Sequence, residues 1–566
     1  MSATIQSWIG SSLIRNFPST SPGGNRPLRL DVARNERFSF QVGFRHSCAS
    51  GQPLTEPVRV SVEISPPAFW AIRVRRVGYV PVRHRSHLAA MEETDGFHQL
   101  PGFVPDPLFD ETEILLPPEE THSFWISVRA RGRGAPPGLH ELTVVCRVGK
   151  RILRSHKVSI RVADLLVGKR KDFRVTQWFY CDALLEYYRL QPFEERFWEL
   201  LERYLKNLAD HGQDTIYVPL LTPSLDGFKR PTQLLHVARR GKSWQFNWEA
   251  VKRFVDTARR VGLTHFEWPH LFTQWGCARA IAVYRGHGET EEPLWRREEP
   301  ALSPVYRRFL GKLLPELHEF LRAEKLLKRS FFHLSDEPRR EHLENYRAAR
   351  AMIREIAPWI KVMDALSDIQ FAREGVTDLP VAAVNHIMPF LEEKLACWAY
   401  YCCSQRGPYL NRLLDTPLSK IRMNGWLFHR WPLGGFLHWG ANYWFMRGSR
   451  NLADPYHIQD AGAWPDWPYG DPFIVYPGPH GPVDSIRWEV LGESLQDMAL
   501  LQTLGIEGDN PLLAPLKNFA DFPKSEKWLL DTRRRLLRSA PVKRQSGLRT
   551  RRGAKDEPKM VAEAHS

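Results

Sequence analysis

The sequence predicts a multidomain chain with an N-terminal antiparallel β-sandwich at 26–166 and a (β/α)8 TIM-like barrel at 172–505. A helical extension at 506–540 and a disordered basic tail at 541–566 complete the prediction. Three observations support it: alternating apolar residues early in the chain, short apolar runs between helical stretches later, and basic residues without acidic ones at the end. A chain of 566 residues is long enough for two or three domains.

The N-terminal region shows the two-residue period of half-buried strands. Apolar residues alternate with polar ones at 38–44, 58–64, 124–128 and 142–148. Clusters of Pro and Gly, such as SPGG and APPG, punctuate these runs. Short alternating strands separated by turns are typical of an antiparallel sandwich.

Eight apolar runs with strand character follow, and amphipathic helical segments separate them. The runs are 173–180, 214–220, 264–270, 330–335, 360–365, 380–385, 395–401 and 435–439. Strands that alternate with helices favour parallel pairing, and eight such units fit a (β/α)8 barrel with insertions. A doubly wound open sheet is the alternative.

Charge and Trp content point to different partners. The formal net charge is +15, and ten of the basic residues lie between 533 and 555 with no acidic residue among them. This stretch predicts a solubilising tail, with weak contact to a polyanion or membrane surface as the alternative and no specific nucleic-acid partner. Sixteen of the 20 Trp lie between 178 and 488, and an indole face suits the C–H face of a sugar ring.

Several classes of protein are excluded by what the sequence lacks. It has no run of eighteen apolar residues, so we predict no transmembrane segment. The start lacks a basic leader followed by an apolar core, and the seven Cys form no CxxC pair, so a cytoplasmic location is expected. Neither zinc spacing nor a phosphate-binding Gly motif occurs, so no metal and no cofactor are predicted. The oligomeric state is left open.

Two adjacent carboxylates, Asp336 and Glu337, follow the fourth predicted strand and precede a Pro. Catalytic residues of (β/α)8 barrels lie at the C-terminal ends of the strands. Adjacent carboxylates repel each other, so one of them is expected to keep its proton to higher pH, as a general acid must. The alternative is structural, because an acidic residue followed by Pro also begins helices well.

The adjacency of the pair restricts the mechanism. Consecutive Cα atoms lie about 3.8 Å apart, so two neighbours flank a glycosidic bond from opposite faces only with difficulty. Substrate assistance is easier to build. In that mechanism Glu337 protonates the leaving oxygen, while Asp336 orients a 2-acetamido group whose carbonyl oxygen is the nucleophile.

Polar and aromatic residues gather at the predicted strand ends and are candidates for binding substrate. They are Trp178, His270, Asn385, His386, Tyr400, Tyr401, Trp439, Asn442 and Trp444. Since side chains alternate along a strand, only one of the two adjacent Tyr is expected to face inward and hold the acetamido oxygen. Packing and structural hydrogen bonding are the alternatives for the Trp and His residues.

The segment 462–482 is too aromatic for a solvated linker. We expect it to be a loop that folds over the mouth of the barrel. Its candidates for sugar subsites are Trp464, Trp467 and Tyr469.

Four stretches carry a resemblance to a known family: FFHLSDEP, the earlier HLFTQWGCARA, the block YYCCSQRGPYLNRLLDTPLSKIRMNGWLFHRWPLGGFLHWGANYW, and the later GDPFIVYPG. They resemble the catalytic domain of glycoside hydrolase family 123 over about 172–505, and ARNERFSFQVGFR is similar to the sandwich that precedes that domain. Characterised members are retaining β-N-acetylgalactosaminidases. The resemblance therefore implies an exo-acting β-N-acetylhexosaminidase with a glycan substrate, Asp336 orienting the acetamido group and Glu337 serving as acid and base.

Two alternatives to this function are kept. The first is a carbohydrate-binding barrel that has lost catalysis. The second is a polyanion-binding protein that acts through its basic tail.

Overall fold

The structure, a computed structural model, describes residues 3–24, 27–48, 56–222, 232–241, 243–286 and 291–539. The tail predicted at 541–566 lies outside the described residues. Among the described residues, no helix has both the length and the apolar character needed to cross a membrane.

In the described part of the N-terminal region, ten strands form two sheets of five. The strands are β1 (Ala3–Ser11), β2 (Leu28–Ala33), β3 (Arg37–Cys48), β4 (Val58–Ile64), β5 (Trp70–Val82), β6 (Gly102–Phe109), β7 (Glu113–Leu116), β8 (Thr121–Ala130), β9 (Gly138–Val148) and β10 (Arg151–Ala163). The sheet orders are β1-β3-β8-β5-β6 and β2-β10-β9-β4-β7. The predicted antiparallel region is confirmed, although it begins at Ala3 and its β2 and β10 pair in parallel.

The predicted alternation accounts for the core of this region. On neighbouring strands Phe40 lies opposite Ile126, and Val42 lies opposite Phe124. All four side chains are fully buried in one apolar cluster. Successive side chains of a strand point to opposite faces, so every second residue packs against the other sheet.

The second region contains the remaining described strands. They are β11 (Arg174–Gln177), β12 (Thr215–Tyr217), β13 (His236–Arg240), β14 (Ser243–Asn247), β15 (His265–Trp268), β16 (Tyr284–Arg285), β17 (Glu292–Pro293), β18 (Ser330–Phe332), β19 (Met363–Leu366), β20 (Leu379–Ala383), β21 (Trp398–Tyr400), β22 (Gly435–His438), β23 (Tyr476–Gly478) and β24 (Gly481–Val483). Each of the eight predicted runs overlaps one strand: β11, β12, β15, β18, β19, β20, β21 or β22.

These eight strands form two parallel sheets, one of five strands in the order β11-β22-β21-β20-β19 and one of three in the order β12-β15-β18. A parallel bridge between Phe332 and Val362 lies where β18 approaches β19. At the other junction the amide of Asp214 donates to the carbonyl of Val175 at 3.2 Å. Among the described residues the ladders do not join into one closed sheet, so a full (β/α)8 barrel stays a prediction.

Eleven α-helices occur in the described residues. They are α1 (Cys181–Tyr188), α2 (Glu195–Asp210), α3 (Glu249–Val261), α4 (Pro304–Ala323), α5 (Leu343–Ile356), α6 (Gln370–Arg373), α7 (Met388–Glu392), α8 (Leu418–Arg422), α9 (Asn424–Arg430), α10 (Ile486–Thr503) and α11 (Glu526–Ser539). The local sequence explains where they begin. At α4, for example, the Ser303 hydroxyl accepts the amide of Tyr306 at 3.3 Å, and Pro304 occupies the first turn.

Helix α10 lies between the two regions and is buried along most of its length. Arg75 of the sandwich pairs with Asp484 at 2.6 Å and with Glu489 at 2.7 Å, and all three side chains are almost fully buried. A second buried pair joins Arg487 of α10 to Asp106 at 2.9 Å. These contacts fix the orientation of the sandwich relative to the parallel sheets.

Basic residues of α11 also act within the fold. Arg533 pairs with Glu36 at 3.0 Å and with Asp497, and Arg534 pairs with Asp31 at 3.2 Å. Part of the positive charge between 533 and 555 is therefore neutralised inside the structure and is not presented to an external partner.

Candidate active site

A cavity of about 850 Å³ lies at the C-terminal ends of the parallel strands. The strands and the segments that directly follow them contribute several residues to its wall: Trp178, Asp336, Glu337, Ala365, Tyr400, Leu437 and Trp439. The cavity therefore lies at the end of the sheets where parallel α/β proteins bind their ligands.

Contacts on both sides hold Glu337 in the cavity wall. The Tyr400 hydroxyl donates to Glu337 Oε1 at 2.8 Å, and the Glu337 amide donates to the carbonyl of Ala365 at 3.0 Å. The φ angle of Glu337 is +44°, a left-handed conformation that costs energy in a residue with a side chain. Such strain persists only where surrounding contacts impose it, and it concentrates at functional sites.

The neighbouring Asp336 is held by its backbone, since its carbonyl accepts the amide of Trp275 at 2.9 Å. Loss of hydration raises the pKa of Asp336 well above its usual value, and repulsion from Glu337 raises it further. The positive charge of His333 opposes this rise in the pKa of Asp336. Asp336 therefore keeps its proton to higher pH than an isolated Asp carboxyl would.

A buried network lies beneath the pair. His333 Nε2 lies 2.9 Å from Glu267 Oε2, and its Nδ1 lies 3.4 Å from Asp364 Oδ1, with all three side chains fully buried. Burial alone would lower the pKa of His333, but Asp364 and Glu267 outweigh it and raise that pKa to about 9. His333 is therefore an imidazolium at neutral pH.

The same network positions the segment that carries Asp336 and Glu337, together with one wall of the cavity. Asp364 accepts the amides of Leu334 at 2.9 Å and Ser335 at 3.2 Å, the two residues before Asp336. On the other side Glu267 Oε2 accepts the indole N–H of Trp178 at 2.9 Å. Sequence reasoning missed the roles of Glu267, His333 and Asp364; the available signal was a titratable residue within each of three predicted strands.

Three of the nine substrate-binding candidates line the cavity with the two catalytic candidates: Trp178, Tyr400 and Trp439. The indole N–H of Trp439 donates to Asp471 at 3.0 Å, and its ring contacts that of Trp467 with centroids 4.9 Å apart. Both contacts fix the Trp439 ring, so it presents a preformed apolar face.

Two of the other candidates point away from the cavity. Tyr401 is fully buried and donates to Asn424 Oδ1 at 3.0 Å, while its neighbour Tyr400 faces the cavity, as alternation along a strand requires. His270 is 1% exposed and stacks on His333, with centroids 4.5 Å apart. It therefore supports the network and does not line the cavity.

Two candidates after β22 form structural contacts. The Asn442 amide donates to the carbonyl of Tyr180 and its oxygen accepts the amide of the same residue, at 3.1 and 2.8 Å. The indole N–H of Trp444 donates to the carbonyl of Val475 at 3.1 Å in a fully buried position. Backbone groups beyond a strand end need such partners once they are buried.

The last two candidates follow β20 and lie outside the lining. Asn385 Oδ1 accepts the side-chain amide of Gln405 at 2.8 Å, and His386 is exposed at the surface.

In the segment 462–482, Trp467 lines the cavity, whereas Trp464 stacks on His84 of the sandwich with centroids 4.1 Å apart. Tyr469 is 6% exposed and does not line the cavity.

One wall of the cavity was not predicted from the sequence. It comes from the long segment between β15 and α4, which contributes Trp275 and Trp295. The ring nitrogen of Trp295 donates to the carbonyl of Ile281 at 2.9 Å, and Trp275 remains 55% exposed. The aromatic content of this segment was the available signal.

Two buried groups of side chains have donor atoms close enough together to hold a metal ion. They are His270, His333 and Asp364, and His211, Asp484 and Glu489, with the donor atoms of each group within 4.8 Å of one another. In the first group His333 already engages Glu267, and in the second Arg75 pairs with both carboxylates. The protein's own cations therefore balance these carboxylates.

A carboxylate pair beside indole rings, in a cavity at the ends of parallel strands, is the type of site that glycoside hydrolases use. Comparison with family models identifies the family. The model described as "Glycoside hydrolase 123, catalytic domain" matches residues 178–504, more than half of the chain. The chain belongs to glycoside hydrolase family 123.

A solved structure of a member of this family has the same fold. A family 123 glycoside hydrolase from Clostridium perfringens, reported in a study of glycolipid glycan hydrolysis, superposes with a TM-score of 0.72 at 13% identity. The alignment covers 94% of this chain and 97% of that one. A family 5 xyloglucanase from Bacteroides ovatus superposes poorly, with a TM-score of 0.29 at 10% identity. That alignment covers 83% of this chain and 98% of the xyloglucanase. Comparison with curated protein sequences finds no match.

Proposed function

We propose that the protein is a retaining exo-β-N-acetylhexosaminidase of the β-N-acetylgalactosaminidase type, with its eight parallel strands arranged as a (β/α)8 barrel. The observation that carries the proposal is the adjacent pair Asp336 and Glu337 on the wall of a cavity of about 850 Å³. The pair is too close in sequence for the usual placement on opposite faces of the scissile bond, which favours a nucleophile supplied by the substrate.

In the first step Glu337 donates its proton to the glycosidic oxygen as the bond to C1 breaks. The carbonyl oxygen of the 2-acetamido group attacks C1 and forms a cyclic oxazolinium ion. In the second step the Glu337 carboxylate takes a proton from water, whose oxygen attacks C1 and reopens the ring. The sugar leaves with its original configuration, and Glu337 regains its proton.

Asp336 accepts the acetamido N–H in this proposal and balances the positive charge that develops on the ring. Its raised pKa in the free protein means that the proton of the pair resides partly on Asp336. A substrate N–H that donates to Asp336 favours its ionised form and leaves the proton to Glu337. Binding of substrate would thus set the protonation states that the first step requires.

Neighbouring groups support these roles. The Tyr400 hydroxyl, 2.8 Å from Glu337 Oε1, holds the acid in place and lies close enough to the pair to contact an acetamido oxygen. Trp178 and Trp439 offer indole faces whose ring nitrogens are already engaged, on Glu267 and Asp471. A fixed indole face suits the apolar face of a pyranose.

The test compares aryl β-glycosides that differ only at carbon 2 and carbon 4. We expect turnover of the N-acetylgalactosaminide and none of the matching galactoside, which lacks the nucleophile. Glu337→Gln should lower kcat by about 10²- to 10⁴-fold, the usual contribution of general acid–base catalysis. The matched control is Glu341→Gln, the same change at an exposed position that does not line the cavity.

An unchanged rate in Glu337→Gln, or equal turnover of the galactoside, would refute the mechanism. Glycan binding without turnover by the wild-type protein would instead support an inactive carbohydrate-binding protein. The anomer released first, followed by NMR, checks retention independently of these rates.

A further inference from the structure

The charge of the cavity is distributed unevenly. Among the described residues that line it, the only acidic ones are Asp336 and Glu337, and four are arginines: Arg279, Arg296, Arg297 and Arg447. A cavity lined by charge of one sign raises the local concentration of a ligand of the opposite sign.

Three of these arginines belong to the wall that adjoins the catalytic pair. The carbonyl of Arg279 accepts the amide of Thr273 at 3.1 Å, and the carbonyl of Thr273 accepts the hydroxyl of Ser335 at 2.8 Å. Ser335 directly precedes Asp336. The wall thus reaches the catalytic segment through two consecutive hydrogen bonds.

The segment that carries Arg296 and Arg297 pairs with the same wall. An antiparallel bridge joins Arg279 to Pro300, and the amide of Ala280 donates to the carbonyl of Glu299 at 2.9 Å. These backbone contacts place the three arginines on one structured surface beside the pair.

The side chains of Arg279 and Arg296 are exposed and form no ion pair or hydrogen bond with any residue in the described ranges. Other exposed arginines nearby are paired: Arg285 contacts Glu292 at 2.7 Å, and Arg340 contacts Asp368 at 3.2 Å. Arg279 and Arg296 therefore remain available for a ligand. Arg447 is already engaged, with Asp466 at 2.7 Å.

We propose that the cavity takes an acidic glycan, and that Arg279 and Arg296 bind its anionic group. The group is a sulfate ester on the terminal N-acetylhexosamine or the carboxylate of an adjoining uronic acid, since the planar guanidinium fork fits both oxyanions. The identity of the terminal sugar rests on the proposed function. The preference for an anionic ligand rests on the arginines alone.

The test measures binding to the Glu337→Gln protein by calorimetry, with three N-acetylgalactosamine-terminated disaccharides. One is neutral, one carries a 6-sulfate on the terminal sugar, and one has a uronic acid as its second sugar. We expect one or both acidic disaccharides to bind about tenfold more tightly than the neutral one at low ionic strength. The preference should fall in 1 M salt, where the screening length is about 3 Å.

The double variant Arg279→Met/Arg296→Met should bring the ratio of acidic to neutral affinity close to one. Its matched control is Arg308→Met, which removes an exposed arginine of α4 that does not line the cavity and should keep the preference. Comparing the two acidic ligands shows whether the sulfate or the carboxylate is the group that is bound.

Equal affinity for all three disaccharides, binding of none of them, or a preference that survives in the double variant would overturn the inference. Selective binding of an acidic disaccharide that the wild-type protein does not cleave would overturn the proposed function and leave the anionic preference standing. Cleavage of the neutral disaccharide without any preference for the acidic ones would support the proposed function and overturn the anionic preference.

Discussion

Two buried clusters of charge are balanced in different ways. The seam cluster, at the junction of the two regions, consists of Arg37, Arg75, Asp484 and Glu489, so that two guanidiniums match two carboxylates. Arg75 contacts both carboxylates, and Arg37 lies 3.6 Å from Glu489. Burial by itself would raise the pKa of Asp484 and of Glu489, but nearby cations outweigh it and lower both pKa values. The seam carboxylates are therefore ionised over the whole physiological range, as a structural contact requires.

The cavity cluster consists of Glu267, His333, Asp364 and Asp336, and its carboxyls outnumber its single cation. Burial raises the pKa of Asp364 and of Asp336, while that of His333 is raised to about 9. A group of titratable side chains whose charges are not matched one to one is poised to exchange protons. The comparison separates a cluster that joins two regions of the chain from one that adjoins the proposed catalytic pair.

The largest expected effect is on stability and concerns the seam cluster. Arg75→Met leaves two carboxylates buried without their shared partner, which should lower the free energy of unfolding by about 3–5 kcal/mol. Urea denaturation followed by Trp fluorescence measures this change. Arg59→Met is the control, because that arginine is 65% exposed in its pair with Glu113 and should alter stability by at most about 0.5 kcal/mol. Similar losses in the two variants would contradict a seam held by buried ion pairs.

Between pH 6.5 and about 9 the cavity cluster should make the free energy of unfolding depend on pH, whereas the seam cluster should not. The pKa of His333 is higher in the folded protein, about 9, than its ordinary 6.5. Its contribution is therefore complete below pH 6.5 and is lost as the pH rises to 9, on the order of 3 kcal/mol. Unfolding free energies measured at several pH values should show this slope, and His333→Gln should flatten it. An unchanged slope in the variant would mean that another group titrates in this range.

His333 should also affect activity by way of Asp336. Its charge opposes the rise in the pKa of Asp336, so His333→Gln should raise that pKa further and move the acidic limb of kcat/KM to higher pH. We expect a loss of about 10- to 100-fold near neutral pH, the scale of one lost interaction with a charged group. The same change at exposed His386 is the control. A uniform loss at every pH, without displacement of the limb, would assign His333 a packing role only.

Sequence patterns could predict the elements but not the network between them. The eight parallel strands were located because apolar runs are local, whereas the contact of His333 with Glu267 joins residues 66 positions apart. Three side chains after β22 illustrate the same limit. From the sequence, Trp439, Asn442 and Trp444 are equally good candidates for binding substrate. Of the three only Trp439 lines the cavity, because buried backbone oxygens engage the other two.

The position of Asp336 and Glu337 in the cavity wall was predictable for a different reason. Asp336 and Glu337 lie in the segment that follows β18, so their position depends on one local boundary and on the direction of the sheet. The position of the arginines on the neighbouring wall was not predictable, because they belong to the long segment between β15 and α4. That segment has weak periodicity, and its pairing with itself becomes visible only in the structure.

The smallest effect concerns two adjacent tyrosines and separates a contact in the cavity from a contact in the core. Tyr400→Phe removes the hydroxyl that donates to Glu337, and we expect kcat to fall about tenfold, the value of one hydrogen bond to a charged group. Tyr401→Phe removes a hydroxyl that donates to Asn424, which should cost about 1 kcal/mol of stability and leave kcat within about twofold.

Steady-state rates and urea midpoints for both variants complete this test. The two changes are chemically identical and lie one residue apart, at the last residue of β21 and at the residue after it. They differ in the contact that each hydroxyl makes, with Glu337 or with Asn424. A fall in kcat for Tyr400→Phe with little loss of stability, and the reverse for Tyr401→Phe, would place the catalytic acid on the cavity side of β21. The opposite pattern would contradict the contact between Tyr400 and Glu337 and, with it, the orientation of the acid on which the proposed mechanism depends.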